Sequence, residues 1–543
     1  MRKYILFLFL FLKIQPISAQ LTVAKEQYTH RDSLQGGLRT ERICFDVQRY
    51  DLNININIDK KLIIGYNDIT FKVVNNTSKI QIDLFENMKI DSILYHNQRL
   101  HYTRDEIATF IHFPNTLSKG SIHKIKFYYS GNPTLAKRAP WDGGFTFTQD
   151  PNHKPWVAVS CQGFGASSWY PVKDSQSDEP DLGISIKVAV PNGLMNVSNG
   201  RFIGSEDLKN GYTRWDWEVK NPINTYDITV NIGDYVLIED YHKGLDLKYY
   251  VLRNNETKAR KHFEEVKPML DCFQSKFGPY PFKEDSYKLV ETPYLGMEHQ
   301  SAIAYGNKYK KGYQGRDLSG TGIGLLFDYI TIHETGHEWF GNSITSKDIA
   351  DMWIHEAFTM YSEVAFIECL YGYEKALDYC EGLRINIAHD RPIIGSFGVN
   401  KEGSGDMYYK GANMLNTLRH VIGKDKWWDI LLKFSTKYKR QIIEGKTVID
   451  FFNNESKMNL TSIFNQYLKY VTIPVLEIQK KEEKFEIRWV TEEPNFEMPI
   501  ELFIKNQKYT MLVSNNWKLI PFHIKEINDI KPNKKSFYIK YTP

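Results

Sequence analysis

Leu326-Phe327-Asp328-Tyr329-Ile330-Thr331-Ile332-His333-Glu334-Thr335-Gly336-His337 is the stretch that decides how this chain is read. Leu326, Ile330, His333 and His337 follow spacings of four, three and four, which predicts the buried stripe of a helix that Gly341 can end. Two histidines four apart project from one helix face a turn apart, so both rings can reach a single ion at about 2 Å. Glu334 is turned by about 100° from His333, which suits it to address a water beside the ion instead of the ion. A pair of satisfied core histidines is the competing reading.

Working outward, Glu356 stands 19 residues after His337, in Trp353-Ile354-His355-Glu356-Ala357-Phe358, the predicted start of a second helix. His333, His337 and Glu356 make the His₂Glu ligand set of a catalytic zinc site, with the fourth position left for water. One Zn²⁺ per chain is therefore expected. Glu363, seven residues on and on the same helix face as Glu356, can accept the second ring N–H of a ligand histidine. A solvated helix carboxylate is the alternative at that position.

The flanks have different periodicities. Leu52-Asn53-Ile54-Asn55-Ile56-Asn57-Ile58 alternates between apolar and polar, as a strand with one buried face does. Short strands recur to about Tyr250, helical periods run from Lys258 to about Tyr470, and alternation returns beyond Pro474 in segments such as Phe485-Glu486-Ile487-Arg488-Trp489. These patterns divide the 543 residues into a signal peptide over 1–19, an N-terminal β domain over 20–252, a helical domain over 253–471 and a small β-sandwich over 472–543. The fold class is multidomain α+β.

The run His333 to Asn342, with Glu356 after it, closely resembles the zinc aminopeptidases typified by aminopeptidase N and leukotriene hydrolase. Gly296-Met297-Glu298-His299 is similar to that family's Gly-x-Met-Glu-Asn motif, Tyr408-Tyr409-Lys410-Gly411 to its Tyr-x-Lys-Gly, and Gln162 to its upstream substrate-binding glutamine. The resemblance implies a saddle-like antiparallel β domain, a thermolysin-like catalytic domain and a β-sandwich, the order already read from periodicity. It implies hydrolysis of the first peptide bond at a free N-terminus. Glu334 would be the general base, Tyr408 the donor to the oxyanion, and Glu298, Gln162, Gly296 and Met297 the substrate contacts. The motif departs from the family at Leu295, where a glycine is usual, and at His299, where an asparagine is usual, so backbone contacts to substrate along that strand are expected to differ. The sequence ends after the sandwich, which reads as a short form without the C-terminal helical domain and argues against epoxide hydrolysis. A zinc endopeptidase and a non-catalytic adaptor on the same fold are the other two readings.

Composition narrows the partners. The formal charge is +4, and Arg2, Lys3 and Lys13 lie in a first segment of 19 residues that has no acid, so the remainder is close to neutral. No general attraction to nucleic acid follows from that. The basic start, the apolar run Tyr4–Leu12 and Ile17-Ser18-Ala19 before Gln20 read as an export signal, with a membrane anchor disfavoured because Lys13 and Pro16 cut the run short of about 20 residues. A soluble periplasmic or secreted protein is expected, with no membrane span and with peptides as partners. Oligomeric state has no signature in the sequence. The five cysteines lack CxxC spacing, which favours buried free thiols over a single bridge between Cys369 and Cys380.

Overall fold

The computed structural model describes residues 27–505 and 507–543, so the segment read as a signal peptide lies outside the described residues. The strand Phe45–Asn57 buries Leu52, Ile54 and Ile56 and leaves Asn53, Asn55 and Asn57 half-exposed, which is the alternation of its sequence. It pairs antiparallel with Leu62–Val73 and parallel with Ile184–Pro191 inside an eight-stranded sheet. A four-stranded sheet packs on the same core, and its strand Pro155–Ser160 runs directly into Gln162.

A five-stranded sheet follows, ordered Tyr235–His242, Leu245–Leu252, Tyr287–Glu291, Ile303–Tyr305 and Gly296–Met297. Its first two strands fall before residue 253 in the sequence, yet Leu245–Leu252 pairs with Tyr287–Glu291 of the following unit. Tyr249 and Val251 enter the core of the helical unit while Tyr250 and Leu252 enter that of the N-terminal unit. A strand that is apolar on both faces at its end can serve two cores at once, and this sheet is the seam between them.

The helices that matter for the site are α1 (His30–Gly36), α2 (Val266–Phe277), α3 (Tyr329–Gly336), α4 (Trp353–Tyr371) and α5 (Tyr409–Ile422). Helix α3 starts three residues later than the spacing predicts, because Asp328 caps it by accepting from the Thr331 amide at 3.1 Å. Leu326 therefore sits in the preceding turn and is 37% exposed. Every residue of α4 from Trp353 to Ile367 is buried, which makes it the central helix of the unit.

Cysteine pairing differs from expectation. Cys272 of α2 is bonded to Cys369 of α4 with Cα atoms 6.0 Å apart, while Cys44, Cys161 and Cys380 are buried thiols. The packing of α2 against α4 joins residues 97 apart in sequence, a proximity no local spacing announces. Beyond α5, two sheets of four and three strands form the C-terminal sandwich, and its Trp489, Met498 and Leu502 join the same core as α4. Among the described residues no helix is long and apolar enough to cross a membrane.

Candidate active site

His333 lies in the last turn of α3 and His337 caps it, and Glu356 lies in the first turn of α4. The Nε2 atoms of His333 and His337 are 3.8 and 3.4 Å from Glu356 Oε2, and the three donor atoms all fall within 4.8 Å of one another. Both rings are held from behind. Nδ1 of His333 is 2.8 Å from Glu363 Oε1, and Nδ1 of His337 is 3.0 Å from the Phe340 carbonyl and 3.1 Å from Thr359 Oγ1. With Nδ1 engaged from behind, each Nε2 is the ring atom turned toward Glu356. Gly341, at φ +125°, lets the backbone wrap His337: a Cβ there would lie 3.1 Å from the ring's Nδ1.

A second buried set overlaps the first. Glu298, Glu334 and His337 also bring one donor atom each within 4.8 Å. Glu298 Oε1 accepts from the Tyr226 hydroxyl at 3.1 Å and from the Gln162 amide, whose Nε2 is also 3.5 Å from Glu356 Oε1. Gly296 passes so close over α3 that a Cβ would meet Glu334 Oε1 at 2.7 Å. Only a glycine fits there without displacing that carboxylate.

Tyr408 precedes α5, its ring stacked on His333 at 6.1 Å between centroids and its phenol, which burial raises, close enough to Glu356 for that carboxylate to raise its pKa further. The Lys-Gly that follows has a packing reason. A Cβ on Gly411 would meet the Ala357 Cβ at 2.6 Å, so glycine lets α5 cross α4 one residue beyond Glu356. Lys410 donates to the carbonyls of Tyr470 and Val471, where burial lowers its pKa to about 8. Gln162, Gly296, Met297, Glu298, His333, Glu334, His337, Glu356 and Tyr408 line one cavity of about 720 Å³, a size suited to a small ligand, and Glu363 does not. Glu363 stands behind His333, fully buried, and takes a second hydrogen bond from Tyr379.

The electrostatics call for a cation. Burial pushes Glu298 up to about 7 and Glu334 well above the usual carboxylate range. Burial opposes charge on His337, but Glu356, Glu298 and Glu334 outweigh it and hold that ring at about 10, whereas burial takes His333 down to about 3. Glu356 Oε2 has no hydrogen-bond partner although it is buried between two imidazole nitrogens. An orphaned carboxylate oxygen beside two outward-held histidines is the donor set a divalent ion such as zinc takes.

Tyr226, Thr359 and Tyr379 were not legible in the sequence. They reach the site from segments 72, 22 and 16 residues away from the groups they bond, with no motif of their own.

Two family profiles match the chain, Peptidase M1 N-terminal domain over residues 47–226 and Peptidase family M1 domain over 261–467. The chain belongs to peptidase family M1. Among curated relatives, endoplasmic reticulum aminopeptidase 1 of Mus musculus is 21% identical over 59% of this chain and 36% of its own length. Aminopeptidase N of Lactococcus lactis is 20% identical over 80% of this chain and 52% of its own. The chain thus spans little more than a third to about half of these M1 relatives. An M1 zinc metallopeptidase from Deinococcus radiodurans shares the fold with a TM-score of 0.66 at 18% identity, over 79% of this chain and 94% of that one.

Within this M1 site the two departures from the usual motif are both interior. Leu295 lines the cavity and is 7% exposed. His299 is fully buried, burial takes its pKa down to about 3, and neither ring nitrogen has a partner among the described residues. Next to this strand Asn342 donates to the Glu298 carbonyl at 2.7 Å.

Proposed function

We propose that this chain is a zinc aminopeptidase that removes the first residue of peptides bearing a free α-amine. The observation that carries the proposal is Glu298, held by Gln162 and Tyr226 beside Glu334 and the His₂Glu set. A buried carboxylate facing a substrate cavity needs a cationic partner, and a peptide N-terminus supplies one where an internal peptide bond cannot.

His333, His337 and Glu356 would hold the zinc, with one ion per chain. When bound, zinc supplies Lewis-acid polarisation of the scissile carbonyl and a water of lowered pKa. Glu334 takes the proton of the attacking water and delivers it to the nitrogen of the leaving amine. Tyr408 donates its hydroxyl to the oxygen on which charge develops. Glu298 pairs with the substrate ammonium, and Gln162, whose Nε2 is committed to Glu298, offers its Oε1 to the same group. Export to the periplasm or medium, supported by the first 19 residues alone, would put this chemistry on extracytoplasmic peptides.

The test compares a free peptide with its N-acetylated twin. The free one should be trimmed from its first bond and the blocked one left nearly intact. Glu298→Gln should lower kcat/KM for the free peptide by roughly 10- to 100-fold, the range for losing one charged hydrogen-bonding partner. Internal cutting of the acetylated peptide at a similar rate would favour an endopeptidase, and no cleavage of either by a zinc-loaded preparation would favour an adaptor.

A further prediction concerns the ion. Glu363→Gln should weaken zinc binding by about 10- to 100-fold, because a carboxylate that accepts from a ligand imidazole raises that ligand's basicity. Competition against a chelator of known affinity measures it. Unchanged affinity would leave Glu363 as a packing residue.

A further inference from the structure

Helix α1 and its flanks, Tyr28–Gly37, precede the residues matched by the N-terminal family profile, which begin at 47. The segment is firmly seated on the N-terminal unit. Thr29 and Asp32 form a reciprocal capping box, Leu34 is fully buried, and the Gln35 carbonyl accepts from Arg42, itself paired with Asp83 in a fully buried ion pair. From that footing it touches both walls of the cleft.

On one wall, Gln35 Nε2 donates to the Phe164 carbonyl at 3.0 Å and lies 3.3 Å from Asp174 Oδ2. It packs against Gly165 so closely that a Cβ there would be 2.1 Å from the amide nitrogen. This buttresses the loop that carries Gln162 from the outside. On the other wall, the Asn400 amide donates to the Asp32 carbonyl at 2.9 Å, Tyr28 and Ser396 share a hydrogen bond, and Gly36 lies backbone to backbone on Val399, where a Cβ would come within 2.1 Å. The two walls also meet directly, Asn400 Nδ2 donating to the Gly163 carbonyl at 2.9 Å. Beneath α1 a cavity of about 50 Å³ separates Gln35 and Asn400 from Tyr226, the hydroxyl donor to Glu298.

The catalytic-unit wall is held by its own unit at Ile393, Gly395 and Gly398 and by α1 and its flanks at Ser396 and Asn400. Residues 387–404 contain neither helix nor strand, yet they bring Asn400, Lys401 and Glu402 to the active cavity and lead into the turn before Tyr408. A long irregular stretch keeps one conformation only through hydrogen bonds from its neighbours.

We propose that Tyr28–Gly37 is a strap that positions the two loops Gln162–Phe164 and Val399–Glu402 across the cleft, and so sets the place of the substrate's ammonium between Gln162 and Glu298. The inference rests on the aminopeptidase reading for its substrate, and on contacts alone for the strap. Its residues touch no reacting atom; they act through the loops they hold.

Two variants test it. Gln35→Ala removes the donor to Phe164 and leaves the buried Leu34 and the cap in place. Gly36→Val wedges a side chain between α1 and Val399. Each should raise KM for a free-amine peptide about tenfold, the cost of one lost positioning contact, with kcat and zinc content nearly unchanged. Hydrogen exchange read by mass spectrometry should speed up in 161–165 and 396–404 and stay unchanged in α3. A fall in kcat at constant KM, or unaltered exchange in both loops, would overturn the strap. Gln35→Ala carries the test should Gly36→Val not accumulate as folded protein. Absence of wild-type cleavage would sink the aminopeptidase reading instead, and the exchange experiment would still decide whether the strap holds the loops.

Discussion

Glu334→Gln should bind zinc in full stoichiometry and turn over about 10²- to 10⁴-fold more slowly than the parent, the usual worth of a positioned general base. The substitution keeps shape and hydrogen-bonding capacity but removes the ability to take a proton. Among the described residues the Glu334 carboxylate makes no hydrogen bond, and it lines the cavity. Stability should therefore change little. The electrostatics make the same point: burial raises Glu334 most, His337 lowers it, and Glu298 and Glu356 raise it further, so an uncharged glutamine suits the position. Metal content, measured on the same preparation as activity, separates this role from that of a ligand. His337→Ala should lose zinc and turnover together, because Glu356 and His333 alone offer two of the three donors. If Glu334→Gln lost its zinc, Glu334 would be a ligand and the set built on Glu356 would be wrong; if it kept full activity, the base would have to be sought elsewhere.

What the sequence disclosed, it disclosed through periodicity and spacing. The alternation of Leu52 to Ile58 predicts the buried face of Phe45–Asn57, and the spacing of His333, His337 and Glu356 predicts three donor atoms that the fold brings within 4.8 Å. Both are short-range signals, set by the geometry of one strand or of two helix turns. Groups that serve the site through long-range contacts left no such trace. Tyr226 bonds Glu298 across 72 residues, Cys272 bridges Cys369 across 97, and Asn400 reaches Gly163 across 237. Spacing misplaces the start of α3 for a related reason. Asp328 stops α3 short of Leu326 by satisfying the Thr331 amide, a competition between side chain and backbone that apolar spacing does not register. Strand Leu245–Leu252 looks like one more N-terminal strand until its two apolar faces are seen to serve different cores. The motif glycines were legible as identities and illegible as causes. Gly411 is where α5 crosses Ala357, and Gly296 is where a strand passes over Glu334.

Tyr408→Phe should lower kcat by about 10²- to 10³-fold, or roughly 2.7 to 4 kcal/mol, with little change in KM and with zinc retained. In the ground state the scissile carbonyl is neutral, so a phenol donor gains most as charge develops on that oxygen, and binding that grows only toward the transition state appears in kcat. The local geometry favours Tyr408 over its neighbour. Its ring stacks on the ligand histidine His333 and Glu356 acts on its phenol, whereas Tyr409 begins α5 and is acted on by Glu363 and Tyr313. Burial raises both phenols, Tyr408 well above its ordinary value and Tyr409 to about 12, so each is a neutral donor at neutral pH and ionisation cannot distinguish them. Position can. Tyr409→Phe, made in parallel, should cost far less, because the carboxylate that acts on Tyr409 is Glu363, which holds the back of His333, whereas Glu356 acts on Tyr408. Steady-state kinetics on one free-amine peptide with both variants, each assayed at measured zinc content, reads the difference. A reversal of the two effects would move the oxyanion donor to Tyr409. A rise in KM alone for Tyr408→Phe would make that hydroxyl a ground-state contact, and the stabilisation of the developing charge would then have to come from the metal side of the site.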